Sequence, residues 1–415
     1  MKAQETGKKH GAWQGPAGYR IDTDWQEVVR LFAETHIVPY ATAWDRAEEL
    51  PEDLLKKLSE NGFFGSIFPR EYGGLGRSYV DYACLLRQLA MADPATSLLV
   101  ESHTSLCSNH IYLFGTDDQR NAYLPRLATG QILGCWSLTE EGAGSDAAAI
   151  TTEARREGEE WLIKGSKRFI SNASIAGVNV VLAVTTPGAG KDGISAFIVD
   201  CENPGRILGE RLRTVGMRAS QTYEIFFRDC RLKSDAVIGN AGEGLRQALR
   251  VLDGGRVAFA ALSVGLAQGA YEAALAYSEH RKQFGKRLAD FPVIQEQLVD
   301  MAVVTKSAWL LTLEAAAQYE AGSLTPGTAA MAKLAASEAA ISVSEKSLHI
   351  HGGNGYLRGS PAEKYFRDAR LCVIGEGTSE VLRLVIARQL LDAHTRSNGK
   401  GEKGSPKGRS QGDQQ

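Results

Sequence analysis

The sequence predicts an α+β protein in three parts: an all-α N-terminal domain, a middle antiparallel β-barrel or sandwich, and a C-terminal helical bundle. Three observations carry this. Apolar residues recur at helical spacing from Ile21 to about Gly134. Residues 135–241 then break into short branched and aromatic runs divided by turn clusters. From 242 to about Ala393 the helical period returns. Residues 1–20 and 394–415 are polar, rich in Gly, Lys and Gln, and lack apolar periodicity, so disordered tails are expected there.

In the first domain, Leu50-Pro51-Glu52-Asp53 opens a helix with proline in the first turn and acids near the positive dipole end, and Gly62 stops it. Pro69–Gly76 is a glycine-punctuated loop. Ser78 caps the next helix and Asp93-Pro94 ends it. A further helix starts near Ala95 and closes at Gly115, with the polar patch Glu101-Ser102-His103-Thr104 in its middle. Asp117–Leu127 forms the last, ended before Gly130.

The middle domain offers strands at Gln131–Leu138, Ile150–Ala154, Trp161–Lys164, Val178–Thr185, Ile194–Asp200 and Tyr223–Phe227. The third domain has long alanine-rich helices at Leu245–Lys282, Val293–Ala321 and Thr328–His349. Small residues on their apolar stripes suit close antiparallel packing, often at the centre of an oligomer.

With 415 residues the chain can bury a large core in two or three domains. Its 43% hydrophobic and 23% charged content is that of an ordinary soluble protein, and a net charge of -2 with scattered basic residues argues against coating nucleic acid. The uncharged run Val257–Tyr271 is shorter than the roughly 20 residues a membrane span requires, so no stable membrane insertion is expected. The six cysteines are scattered singly without a CxxC pair or a secretory signal, which points to a reducing, cytoplasmic setting.

Several suggestive motifs fail on spacing. Gly188-Ala189-Gly190-Lys191-Asp192 has Asp192 where a phosphate loop needs Ser or Thr, and reads as a hairpin loop. No GxGxxG follows a strand and opens a helix. His349 and His351 diverge by about 200° on a helix and lack further ligands, so no metal is expected. Ser145 lacks a nucleophile elbow.

Five stretches resist explanation as scaffold. In Gly375-Glu376-Gly377-Thr378-Ser379 a carboxylate sits between two glycines before a resumed apolar stripe, Val381, Leu382, Leu384 and Val385. The missing Cβ atoms permit close approach to a flat ligand and let Glu376 turn into a crevice, as a general base requires; the residues alone fit an exposed glutamate beside a capping turn equally well. Trp136–Asp146 (WSLTEEGAGSD) runs a strand into a glycine-rich loop whose donors suit a heteroaromatic edge or a thioester tail, or make an elaborate turn. Lys167–Ala173 places Phe169 and Ser171 on one face of a strand end. Arg281 and Phe284 are three apart at a helix end, suiting pyrophosphate and a ring face, while a cation there also serves the helix dipole. His349–Tyr356 (HIHGGNGY) carries more glycine than a cap requires.

TEEGAGSD, RFISN, RKQFG, HGGNGY and GEGTSE, in this order and spacing, resemble the acyl-CoA dehydrogenase family over about residues 21–393. The resemblance implies a C-terminal four-helix bundle, FAD between domains and across a subunit interface, and a homotetramer built as a dimer of dimers. It implies that Trp136, Leu138, Thr139 and Ser145 lie against the flavin, with Ser145 also reaching CoA. Phe169 and Ser171 would cover and hydrogen-bond the ring system; Arg281, Phe284, His349, Gly352 and Gly353 would serve a neighbouring subunit's FAD. Thr378 and Glu380 would contact the dinucleotide, Asp253 and Arg256 the substrate's CoA, and Gly377 the substrate beside the base. Glu376 matches the catalytic base; the position some branched-chain members use instead is Gly255 here. The sequence departs from the family at Gly375 (commonly tyrosine), which is expected to open the pocket, and at His349, Phe169, Ser171 and Glu141.

The reaction implied is α,β-dehydrogenation of an acyl-CoA, with electrons passed to an electron-transfer flavoprotein. A flavin oxidase or monooxygenase, or a non-catalytic helical scaffold, are the alternatives. Leu98–Cys107 is expected to floor the acyl pocket, with Glu101 and His103 either recognising a polar acyl end or plugging the cavity. Ser97 occupies the place of the arginine that glutaryl-CoA dehydrogenases use, which favours a short or branched acyl group over glutaryl.

Overall fold

The structure is a computed structural model that describes residues 20–399. The expected tail 1–20, Arg20 apart, and residues 400–415 of the other lie outside the described residues.

Seven helices open the chain: Thr23–His36 (α1), Ala41–Ala47 (α2), Glu52–Glu60 (α3), Tyr79–Ala92 (α4), Pro94–Glu101 (α5), Asn109–Phe114 (α6) and Asp117–Ala128 (α7). Side-chain caps fix their starts. Asp22 accepts from the Asp24 and Trp25 amides, Ser78 from Asp81, Asp93 from Thr96, and Thr116 closes a capping box with Gln119. The single helix expected from Ala95 to Gly115 is divided: α5 and α6 are joined by a π-helical turn, Ser102–Ser108, that holds most of the polar patch.

The middle strands are Leu133–Ser137 (β1), Glu153–Glu157 (β2), Glu160–Ser171 (β3), Ala176–Val184 (β4), Ile194–Asp200 (β5), Arg206–Leu212 (β6) and Thr222–Lys233 (β7). They form one seven-stranded sheet in which β1, β4, β2, β3, β7 and β6 are neighbours and β5 pairs with β4. Pairing is antiparallel except for β1 with β4 and the single contact of β2 with β4. The loop at Gly188–Asp192 joins the antiparallel pair β4 and β5. β6 gives little sequence signal because none of its residues is buried and its apolar Ile207 and Leu208 are adjacent rather than alternating.

The last part comprises Gly244–His280 (α8), a small hairpin of Lys282–Gln283 (β8) and Lys286–Arg287 (β9), Pro292–Glu320 (α9), Pro326–His351 (α10), Pro361–Cys372 (α11) and Ser379–Gly399 (α12). Helix α12 continues through residues expected in the tail. One hydrophobic core joins the first and last parts, with Phe63, Tyr82 and Leu86 packed in the same cluster as Phe259, Leu262 and Trp309. A second cluster seats Cys107, Ile111 and Leu127 on the sheet face of Val178, Val180 and Leu182. Helix α11 is tied into all three parts. Lys364 bridges Asp93 (2.7 Å) and Asp368 (2.6 Å), Asp368 accepts from the Met217 amide (2.5 Å), and Arg367 pairs with Asp45 (2.7 Å). Because α11 leads directly into the Glu376 turn, these buried ion pairs fix where that turn sits.

Candidate active site

The turn between α11 and α12 bends through left-handed backbone at Glu376 (φ 54°) and Gly377 (φ 105°). A non-glycine residue rarely adopts that conformation, and it aims the Glu376 side chain inward. Both carboxylate oxygens are sealed from water and meet no hydrogen-bond donor. They lie against α8 where it carries Gly254-Gly255: a Cβ at Gly255 would stand 2.8 Å from Glu376 Oε2 and 2.9 Å from Leu106 Cδ2. The space of the alternative base position is thus taken by the Glu376 carboxylate itself. At Gly375 the expected opening is met by Phe259, whose Cζ would lie 3.1 Å from an added Cβ.

Two buried cations hold the turn by its carbonyls. Lys333 of α10 donates to the Gly377 carbonyl (2.8 Å) and Arg256 of α8 reaches the Glu376 carbonyl (3.4 Å) while pairing with Asp253 (3.1 Å). Burial pushes the Glu376 carboxyl up from the ordinary glutamate range, against the pull of Glu101, Lys333 and Arg256. Burial likewise draws Lys333 down to about 8 and raises Asp253 against the pull of Arg256. The role of Lys333 was missed, although a lone lysine among Ala329, Ala330, Ala336 and Ala340 on an otherwise small, buried face is a visible signal.

Glu101, at the end of α5, lies beside Glu376 and is buried, with Oε1 unmet. His103 turns away from it. The Gly134 amide donates to His103 Nδ1 (2.9 Å), so Nε2–H donates to the Leu127 carbonyl (3.2 Å), and the ring joins α7 to β1. This corrects the pairing of His103 with Glu101 in the pocket floor. Ser97 is also spent in the core, donating to the Leu86 carbonyl (2.9 Å).

The β-domain stretches meet at the end of β1 and β3. Arg168 N–H donates to the Thr139 carbonyl (2.9 Å), joining the Trp136–Asp146 loop to the strand of Phe169 and Ser171. Phe169 (59% exposed) and half-buried Ser171 face outward on either side of buried Ile170, across a register shift in β3. Lys167 and Glu140, both buried and 2.7 Å apart, anchor the loop. Lys167 also donates to the Leu138 carbonyl (3.0 Å), and Glu140 accepts from the Thr151 and Thr152 amides (2.7 and 3.0 Å). Burial would raise Glu140, but Lys167 and these donors hold it at about 2. Trp136 Nε1 donates to His110 Nδ1 (3.0 Å), and His110 Nε2 then donates to Gln247 (3.1 Å). Burial holds both His103 and His110 down at about 4. Leu138 is buried, Thr139 half-buried and Ser145 exposed.

Three domain descriptions match the chain in order: "Acyl-CoA dehydrogenase, N-terminal domain" over residues 22–131, "middle domain" over 135–230 and "C-terminal domain" over 242–391. The chain is 42% identical over 369 residues to the probable acyl-CoA dehydrogenase YngJ of Bacillus subtilis, spanning 88% of this chain and 97% of that protein. The chain belongs to the acyl-CoA dehydrogenase family. That family is flavin-dependent, and its members are oxidoreductases. Butyryl-CoA dehydrogenase from Megasphaera elsdenii superposes with a TM-score of 0.88 at 33% identity, covering 90% of this chain and 100% of the other. A glutaryl-CoA dehydrogenase from Mycobacterium smegmatis in complex with FADH2 gives 0.85 at 31%, covering 89% and 95%.

Of the remaining acyl-CoA dehydrogenase motif residues, Thr378 and Glu380 border the Glu376 turn, and the others lie on separate elements. Helix α8 ends at His280, so Arg281 and Phe284 belong to the β8–β9 hairpin and not to one helix face; Phe284 is 93% exposed with φ 50°. His349 is exposed in the last turn of α10, whereas His351 is buried and stacks on Tyr277 (4.4 Å). Gly352 and Gly353 face open space, and Gly352 ends α10 with a positive φ (57°) that favours glycine. Thr378 Oγ1 accepts from the Val381 amide (3.3 Å) at the start of α12, and Glu380 is exposed. Among the described residues no three His, Cys, Asp or Glu side chains cluster as metal ligands, and no helix is long and apolar enough to cross a membrane.

Proposed function

We propose that the chain carries out FAD-dependent α,β-dehydrogenation of a short acyl-CoA, with Glu376 as the base that removes the α-proton. The observation that supports this most is the Glu376 carboxylate, with both oxygens dry and without a donor, on a strained turn held by Lys333 and Arg256. A carboxylate shut away from water is a stronger base than a hydrated one.

The residues suit a flavin. An outward aromatic ring at Phe169, the Ser171 hydroxyl two residues on, and a loop locked by the Lys167–Glu140 pair form an ordered rim that needs no packing partner from this chain. Trp136, Leu138, Thr139 and Ser145 extend that rim, and FAD, when bound, supplies the acceptor for the β-hydride. Gly352 and Gly353 with exposed His349, Arg281 and Phe284 form surfaces suited to the FAD of a second copy, and Thr378 with Glu380 borders the dinucleotide. The Glu376 backbone N–H is the chain's own donor for the thioester oxygen as charge develops there. Asp253 and Arg256 take the CoA side, near Gly377.

Exposed apolar residues Val293, Val299 and Val303 on α9 and Leu384, Leu390 and Leu391 on α12 support assembly through the bundle, a homotetramer in this reading. Electrons pass onward to an electron-transfer flavoprotein. The buried Ser97 hydroxyl offers no cationic anchor for a second carboxylate, which together with the resemblance to butyryl-CoA dehydrogenase favours a short, uncharged acyl group. Anaerobic addition of CoA thioesters of increasing length, read by loss of flavin absorbance, tests this. Butyryl-CoA should bleach the flavin and glutaryl-CoA should not; no bleaching by any short acyl-CoA contradicts the proposal, and rapid recolouring in air marks an oxidase instead.

A further inference from the structure

The base has a second carboxyl for a neighbour. Glu101 is 1% exposed and lies within hydrogen-bond reach of Glu376. Ser102 Oγ contacts Glu101 Oε2 (3.3 Å), while Glu101 Oε1 and both Glu376 oxygens meet no donor. Other polar groups around the pair are already used. From α4, the Tyr79 hydroxyl donates to the Gly254 carbonyl (2.8 Å) and the Tyr82 hydroxyl pairs with Ser105 (2.8 Å). Leu106 closes the side toward Gly255.

Two ionised carboxylates in contact in a dry pocket repel, and burial penalises each further. One shared proton removes the repulsion and creates a charge-assisted hydrogen bond. The surrounding charges decide which group keeps it. Lys333 from α10 and Arg256 from α8 act on Glu376, with Asp253 neutralising part of Arg256 and the Cys372 thiol beside Lys333. The groups acting on Glu101 are Glu376 and Ser102, and its titratable neighbours Tyr79 and Tyr82 carry no positive charge.

We infer that Glu101 is a positioning residue for the base: it stays protonated, donates its O–H to the Glu376 carboxylate, and so keeps that carboxylate ionised and aimed in a water-free pocket. This rests on Glu376 being the base. Glutamine at 101 keeps a neutral donor; leucine removes it.

The test uses holoenzyme with bound flavin, as wild type, Glu101→Gln and Glu101→Leu. In infrared spectra at neutral pH, the wild type shows a protonated-carboxyl C=O band that Glu101→Gln lacks. Its absence from the wild type, or its persistence in Glu101→Gln, overturns the inference, and this arm needs no turnover, so it reads the pair whether or not acyl-CoA is the substrate. In the pH dependence of kcat/KM, which reports the free enzyme, Glu101→Leu moves the acid limb up by about one pH unit or more, whereas Glu101→Gln leaves it near the wild-type position. Coincident limbs for Glu101→Leu and wild type contradict the donor role; a purely structural residue would lower the melting temperature without moving the limb.

Discussion

Gly255 and Glu376 occupy one another's space: the Cβ that residue 255 lacks would stand 2.8 Å from Oε2 of Glu376. Real Cβ contacts do not come that close, and Leu106 blocks relief on the other side at 2.9 Å. Gly255→Ala is therefore expected to push the carboxylate off its line of attack. A displacement of about 1 Å costs up to about 10²-fold in rate. Steady-state kinetics should show kcat/KM falling at least about tenfold with flavin still bound, and an unchanged rate would mean that Glu376 works from another position.

Lys333→Met tests the support of the turn. The Gly377 carbonyl loses its donor, which costs about 1–3 kcal/mol where the group stays buried, and removal of the ammonium's own burial penalty offsets part of this. Melting temperature should change little while kcat falls about tenfold or more. The wild-type ammonium is held down at about 8, so its charge is full below that pH and fades above it. An alkaline limb near pH 8 should be present in the wild type and absent in Lys333→Met.

How much of this was legible follows from where the signals lie. Helix and strand periods report local burial, so α3, α4, α7 and β5 could be read to within a few residues. The Glu376 turn was legible as a candidate because glycines on both sides of one acid leave the backbone free to bend and the acid free to turn inward, but an exposed glutamate fitted the same residues equally well. The Glu101–Glu376 and Lys333–Gly377 contacts join distant parts of the chain, so a lone lysine among alanines marks Lys333 while no local pattern names the partner of either residue. The Arg281–Phe284 geometry was misjudged because α8 ends at His280 without a breaking residue, and a two-residue strand pair follows. The π-helical turn escaped notice because its polar residues, unusual in a buried helix, are satisfied by distant partners such as the Phe64 carbonyl for Thr104 (2.9 Å).

Acid should destabilise the fold in two windows. His103 and His110 are buried neutral and held at about 4 against an ordinary 6.5, so the unfolded chain binds protons that the folded chain refuses. Stability is full above 6.5 and falls as pH drops toward 4, by about 3 kcal/mol for each ring. Glu140 has the same sign lower down: held at about 2 against an ordinary 4.5, its contribution is full above 4.5 and is lost as pH falls toward 2. Urea midpoints at pH 7, 5.5 and 4.5 should decline steadily. Glu140→Gln should lose about 3–5 kcal/mol at pH 7, because Lys167 is left buried without its partner, and the gap to wild type should narrow below pH 4.5. A gap independent of pH would remove the ion pair from the account of how the loop is held.

The most direct measurement is anaerobic mixing of butyryl-CoA with flavin-loaded Glu376→Gln, followed by flavin absorbance. Glutamine keeps the size of the side chain and removes the base, so the variant should bind flavin, melt within a few degrees of wild type, and leave the flavin oxidised while the wild type bleaches at once. Bleaching of the variant at the wild-type rate would show that another group takes the proton.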